Sequence, residues 1–168
     1  EKFLTPYLPL GKAKVNSRRV TMYKAQKIIY ATMAQRCEAI IDGVGEFASL
    51  NTNCFYKPRT GVSLKYIGGI CNSQMFMFLY DLFFGALRMS GGYYQFQAPQ
   101  LRVIPIPSAT IKQQGAIVAL VDSILAAKAA DPAADTSALE MKIDQLVYEL
   151  YRLTVEEIAI VEGASSAR

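Results

Sequence analysis

Asp135, Glu140 and Lys142 are spaced like the D…E-x-K centre of a Mg²⁺-dependent nuclease, where two carboxylates hold the metal and the lysine assists. That chemistry needs the carboxylates to converge on one ion. On a helix Glu140 and Lys142 lie about 200° apart around the axis and point to different sides. The trio reads as a solvated helix face beside an apolar Leu139/Ile143 seam. Other catalytic chemistry is thinly supplied. The sequence holds no histidine, which removes the commonest general base, the usual partner of a Ser or Cys nucleophile and a standard zinc ligand. Cys37, Cys54 and Cys71 show no C-x-x-C spacing and read as buried reduced thiols, the usage of a cytoplasmic protein. There is no phosphate-cradling G-x-x-x-x-G-K or G-x-G-x-x-G, and Gly43-x-Gly45 reads as a turn. The Asn/Asp-Pro-Pro-Tyr/Phe motif that holds a flipped adenine is also missing.

The side chains left with a chemical role are cations and amides: Arg18, Arg19, Lys24, Gln35, Arg36, Asn53, Lys57, Arg59, Lys65, Arg88 and Gln95. Arg and Lys neutralise phosphates or contact guanine edges, and Asn and Gln suit adenine. Their distribution is uneven. Residues 1–107 carry 13 Lys/Arg against 5 Asp/Glu, a net +8, whereas residues 108–168 carry 5 against 9, a net −4. That split predicts a polyanion-facing head held by a scaffold that does not touch the polyanion. Tyr93 and Tyr94 offer stacking surface, with one of the two packing inward because strand neighbours alternate.

The elements that must position these residues follow from pattern. With 168 residues, 52% hydrophobic and 19% charged, the chain has the composition of a folded domain with an appendage. Its start at Glu1, in a Pro-containing stretch without the apolar core of a signal peptide, reads as a piece of a longer polypeptide. Residues 1–26, with Pro6 and Pro9, are expected to be an extended lead-in. Strands are expected over Lys27–Met33, Glu38–Asp42, Phe47–Asn51, Cys54–Lys57, Tyr93–Gln97 and Leu101–Ile106. Ser63 is expected to cap a short helix and Asn72 a second one, Ser73–Leu87, apolar on nearly every face. Such a helix belongs in a core with the strands wrapped around it. Met75 and Met77 read as core filler. The window Met75–Leu87 is too short to span a bilayer and contains Asp81.

After the Pro105-Ile106-Pro107 stop the period changes to helical. Thr110 with Gln113, and Thr154 with Glu157, match the capping box. Leu139, Ile143, Leu146 and Leu150 form an a/d seam, so two helices joined by a turn over Ala129–Thr136 are expected to make an antiparallel hairpin before a short terminal helix. The expected fold class is α+β: a strand-rich head over 1–107 around a buried helix, then a helical scaffold over 108–168.

Several segments together resemble a known family. They are KIIYATM, NTNCFYK, LKYIGGICNSQMFMF, GGYYQFQAPQLRVIPIP and the tail from QQGAIVALVDSILAAK to LVYELYRLTVEEIAIVEG. Over about Lys24 to Gly163 the chain resembles the TaqI-like C-terminal specificity (target recognition) domain of type IIG restriction-modification enzymes, and more distantly the specificity subunits of type I systems. The resemblance implies reading of a short sequence in double-stranded DNA. It also implies a fused methyltransferase outside this chain that flips an adenine and methylates N6 with S-adenosylmethionine, and in many members a Mg²⁺-dependent nuclease. By that reading this piece binds without reacting and needs no cofactor of its own.

The family's base-reading residues sit on variable loops without a fixed motif, so the DNA-contact residues come from charge and placement alone: Arg18, Arg19, Gln35, Arg36, Asn53, Lys57, Arg59, Lys65, Tyr93 and Gln95. Base readout is expected from Arg36, Arg59, Gln95 and Asn53, and phosphate positioning from the lysines, with Arg36, Lys57 and Arg59 sharing one electropositive cleft. Two other readings are a fragment of a type I specificity subunit and, in another class, a helical protein-interaction module that does not bind DNA.

Overall fold

Lys27, Ile28, Ile29 and Tyr30 are buried in succession, the mark of a strand covered on both faces. The computed structural model describes residues 17–47 and 52–166, with the side chains of 20–47 and 52–163. The first half holds α1 (Ser17–Lys24), β1 (Lys27–Ala31), β2 (Met33–Ala34), β3 (Ala39–Asp42), β4 (Thr52–Tyr56) and α2 (Leu64–Cys71). Then come α3 (Gln74–Phe84), β5 (Tyr94–Gln95), α4 (Ala98–Leu101), α5 (Ile111–Ala130), α6 (Ser137–Tyr151) and α7 (Val155–Ser166). The fold is α+β, as expected.

β1 is the middle strand of an antiparallel sheet ordered β3-β1-β4, and β2 pairs with β5 in a separate two-stranded arm. The register opposes Lys27 to Asp42 and Tyr56 at one end of the sheet, and Tyr30 to Ala39 and Asn53 at the other. α2 is the central helix. Gly68 and Gly69 let it approach both neighbours: a Cβ on Gly68 would stand 3.0 Å from Ile41 Cδ1 of the sheet, and one on Gly69 only 2.7 Å from Ile117 Cγ2 of α5. One apolar core therefore runs from Ile28 through α2 and the hairpin to Val161 on α7.

α3 meets α2 at a 64° bend and packs against α6 and α7, so strands do not wrap around it. It buries Met75, Phe76, Met77 and Tyr80 but leaves Leu82 68% and Phe83 53% exposed. Its apolar character serves two surfaces, of which one is outward. Met75 and Met77 are core filler, as expected. No single helix is long and apolar enough to cross a membrane.

Other expectations shift by local chemistry. Ser17–Lys24 is helical, because the prolines of the lead-in all precede it. The strand expected over Phe47–Asn51 falls on residues 48–51, outside the described residues. Ser63 occupies the cap position of α2, yet its side chain makes no cap bond; its main-chain N–H instead donates to Gln114 Oε1 at 3.0 Å. The α3 cap is Ser73, whose Oγ accepts from Phe76 N at 3.2 Å, while Asn72 closes α2. Leu101–Ile106 is not a strand. Pro99 favours the first turn of α4, and Pro105 and Pro107 lack the N–H a ladder needs. Their carbonyls accept from the Tyr151 hydroxyl at 2.5 Å and the Tyr66 hydroxyl at 2.7 Å, which straps the junction to α6 and α2.

Both capping boxes form. Thr110 N donates to Gln113 Oε1 at 2.9 Å while Gln113 N donates to Thr110 Oγ1 at 3.3 Å, and Thr154 and Glu157 repeat the exchange. The α5–α6 hairpin forms too. Burial on α6 centres on Ile143, Val147 and Tyr148 rather than on a single leucine seam, because α2, α3 and α5 all contact it.

Candidate nucleic-acid interface

At the Lys27 end of the sheet, the β4 chain turns sharply. Lys57 holds φ 53°, a left-handed conformation that non-glycine residues seldom adopt, and Gly61 at φ +81° completes a turn in which Val62 N donates to Arg59 O at 3.0 Å. Lys57, Pro58, Arg59 and Thr60 are exposed as a result, with Lys57 Nζ 5.9 Å from the centre of the Tyr56 ring. Exposed Lys24, at the end of α1, approaches the same end, since Lys27 Nζ donates to Tyr23 O at 2.6 Å. Among the described residues none of Lys24, Lys57 and Arg59 has a carboxylate partner.

The base beneath them is tied by a buried ion pair. Lys27 and Asp42 form an ion pair in which both side chains are buried. Asp42 also accepts the main-chain N–H groups of Gly45 at 2.7 Å, Phe47 at 2.9 Å, Glu46 at 3.1 Å and Val44 at 3.3 Å. Burial acts to raise the Asp42 pKa, but the Lys27 bond and these N–H donors outweigh it and hold the carboxyl well below its ordinary range.

The other end of the sheet carries a different set. Gln35 Nε2 donates to Gly91 O at 3.0 Å, Arg36 Nη2 to Asn72 O at 3.2 Å, and Asn53 Nδ2 to Phe96 O at 3.3 Å. Gly91 and Gly92, both near φ +80°, shape the turn that presents Tyr93. Tyr93 is 42% exposed and Tyr94 only 1%, the expected alternation. The Tyr94 hydroxyl donates to Asp81 and accepts from Arg88, whose guanidinium stacks 4.7 Å from the Tyr94 ring centre. Exposed Gln95 reaches Met89 Sδ at 3.5 Å. The three cysteines are free thiols, with Cys37 and Cys71 buried and Cys54 half-buried. A hydrogen bond to Cys37 and burial push the Cys71 thiol well above its ordinary range, and burial raises Cys54.

The expected contact residues therefore divide. The register sets Lys57 and Arg59 at one end of the sheet, and Gln35, Arg36 and Tyr93 beyond the other. The cleft that Arg36 borders is not electropositive: Arg36 and Arg88 line it together with Glu38, Glu140 and Asp144. Lys65 lies on α2 and forms an ion pair with Asp122 of α5. Arg18 and Arg19 belong to α1, with side chains outside the described residues. Sequence reasoning missed Asn72 as a brace and Glu38 as a cleft residue. A cap signal one residue out of place hid the first, and an isolated glutamate carries no signal at all.

The structure thus gathers exposed cations on a turn at one end of a small sheet in an α+β fold. The model of the TaqI-like C-terminal specificity domain matches residues 2–106. The chain belongs to that family, which implies DNA sequence recognition in restriction-modification enzymes. The matched region ends inside the Pro105-Ile106-Pro107 junction, and the helical hairpin lies beyond it. No curated protein matches the chain.

Proposed function

We propose that the chain is the specificity module of a type IIG DNA adenine-N6 methyltransferase of the cytoplasm, and that it reads double-stranded DNA with the Lys24, Lys57 and Arg59 end of its sheet. The carrying observation is the exposed, left-handed Lys57 turn with three cations that no carboxylate neutralises among the described residues, on a member of a specificity-domain family. Arg59 is the base reader in this reading, since a guanidinium can bond guanine O6 and N7 together, and Lys57 and Lys24 are phosphate contacts. Tyr93 and Gln95 form a second contact at the opposite end.

S-adenosylmethionine and a catalytic Mg²⁺ belong to other domains of the enzyme. This chain has no Asn/Asp-Pro-Pro-Tyr/Phe motif, and its described residues gather no group of three or more metal-ligating side chains. In this reading the chain contributes recognition, and the chemistry belongs to those other domains. Residues 108–168 act as the scaffold that holds the basic head. The test is methylation mapping of source-cell DNA for wild type and Arg59→Ala in the full-length enzyme. Loss of methylation at the native motif, or spread to related motifs, supports the reading. An unchanged methylation pattern with full activity overturns it.

A further inference from the structure

A cleft of about 1320 Å³ lies between β3 and the α5–α6 hairpin, floored by Gly68 and Gly69 of α2. It exceeds the roughly 300–1,000 Å³ of small-molecule pockets. Its walls expose apolar side chains, with Ile40 62%, Met141 59% and Leu125 39% accessible. Its charges do not balance. Arg88 is engaged by Asp81 at 3.5 Å, and Arg36 faces Asp144 while donating to the Asn72 carbonyl. Glu38 and Glu140 are left without a cation among the described residues, Glu140 accepting only the Thr136 hydroxyl at 2.7 Å. Two free carboxylates repel phosphates and suit a cationic occupant.

The cleft also has an open strand edge. Asn72 bonds both main-chain groups of Ala39 on the outer side of β3. Ile41, two residues along, presents its N–H and C=O in the same direction, and among the described residues nothing bonds them. We propose that this cleft docks an extended protein segment in which apolar residues alternate with Lys or Arg, hydrogen-bonded to β3 at Ile41. The apolar side chains take the Ile41 face, toward Leu125 and Met141 of the hairpin, and the cations take the opposite face, beside Glu38. This goes beyond the DNA reading, whose three cations Lys24, Lys57 and Arg59 stand at the other end of the sheet and outside this cleft.

The probe is a synthetic octapeptide of alternating Lys and Val, titrated into the full chain and followed by the Ile41 amide and Met141 methyl NMR signals. Those signals should move with a Kd at or below about 1 mM. A Glu/Val octapeptide should leave them still, and the Glu38→Gln/Glu140→Gln variant should weaken the Lys/Val peptide about tenfold. A Lys/Val peptide with proline at its centre should lose binding, because proline cannot donate to the edge. Movement confined to other residues overturns the proposal, as does equal binding of the proline peptide. The double variant should leave DNA binding unchanged, so a failure here is distinct from a failure of the DNA reading.

Discussion

Asn72 and Ala39 exchange two hydrogen bonds: the Ala39 N–H donates to Asn72 Oδ1 at 2.7 Å, and Asn72 Nδ2 donates to the Ala39 carbonyl at 3.0 Å. A side-chain amide here replaces the next strand and closes the edge of β3 at its first residue. Asn72 also sits at the bend between α2 and α3, and its own carbonyl accepts from Arg36. One residue thus ties the edge of the sheet to the bend between the two helices.

Asn72→Asp keeps the size and loses the donor, leaving the Ala39 carbonyl facing a carboxylate. The expected cost is about 1–3 kcal/mol in urea unfolding at neutral pH. A change within a few tenths would mean that the edge is held by packing alone.

Two glycines in adjacent helices should respond with opposite signs. Gly69→Ala forces a methyl to within 2.7 Å of Ile117 Cγ2, and that carbon belongs to a fully buried side chain with little room to move. About 1–3 kcal/mol of destabilisation is expected. Gly115 lies in α5, where an added methyl would meet nothing within 4 Å, so Gly115→Ala should stabilise by about 0.5–1 kcal/mol through lower unfolded-state entropy. Equal effects at both positions would refute the close approach of α2 and α5.

The Lys27–Asp42 pair makes stability fall in acid. The unfolded Asp42 carboxyl titrates near its ordinary 3.8, and the folded one lower, so the pair's contribution is complete above that value. It is lost as pH falls below about 4 toward the depressed folded pKa. Asp42→Asn leaves Lys27 buried without a counter-charge, at a cost of about 3–5 kcal/mol at pH 7. It should also flatten the acid limb of a stability profile recorded by thermal melts. A variant whose profile still falls as steeply would locate the acid sensitivity elsewhere.

What the sequence made legible tracks how local the determinant is. Thr110–Gln113 and Thr154–Glu157 are read correctly because a capping box is complete within four residues. The β-branched run at Lys27 marks a strand for the same reason. Leu101–Ile106 misleads because its apolar content suits a strand, while Pro99 and the two later prolines decide against one. The all-apolar look of α3 cannot say that Leu82 and Phe83 face outward, since that depends on α6 and α7 arriving from elsewhere in the chain. The candidate site is legible only in part. Charge finds Lys57 and Arg59, but it cannot foresee that Lys65 is matched with Asp122 fifty-seven residues away.

That matching supplies the sharpest test of the interface. With five phosphates neutralised the slope of log K against log salt is about −4 to −5, and each phosphate left without exposed Lys57 or Arg59 should reduce its magnitude by about 1. Lys57→Ala should weaken binding to every duplex alike. Arg59→Ala should instead relax discrimination at one base pair by about 1–3 kcal/mol. Lys65→Ala removes a cation whose charge Asp122 already balances, so slope and discrimination should both stay as in wild type. The measurement is a salt series of duplex binding by the full-length protein, with cognate and single-mismatch DNA. If Lys65→Ala reduces the magnitude of the slope as much as Lys57→Ala, net charge and not the Lys57 turn governs binding.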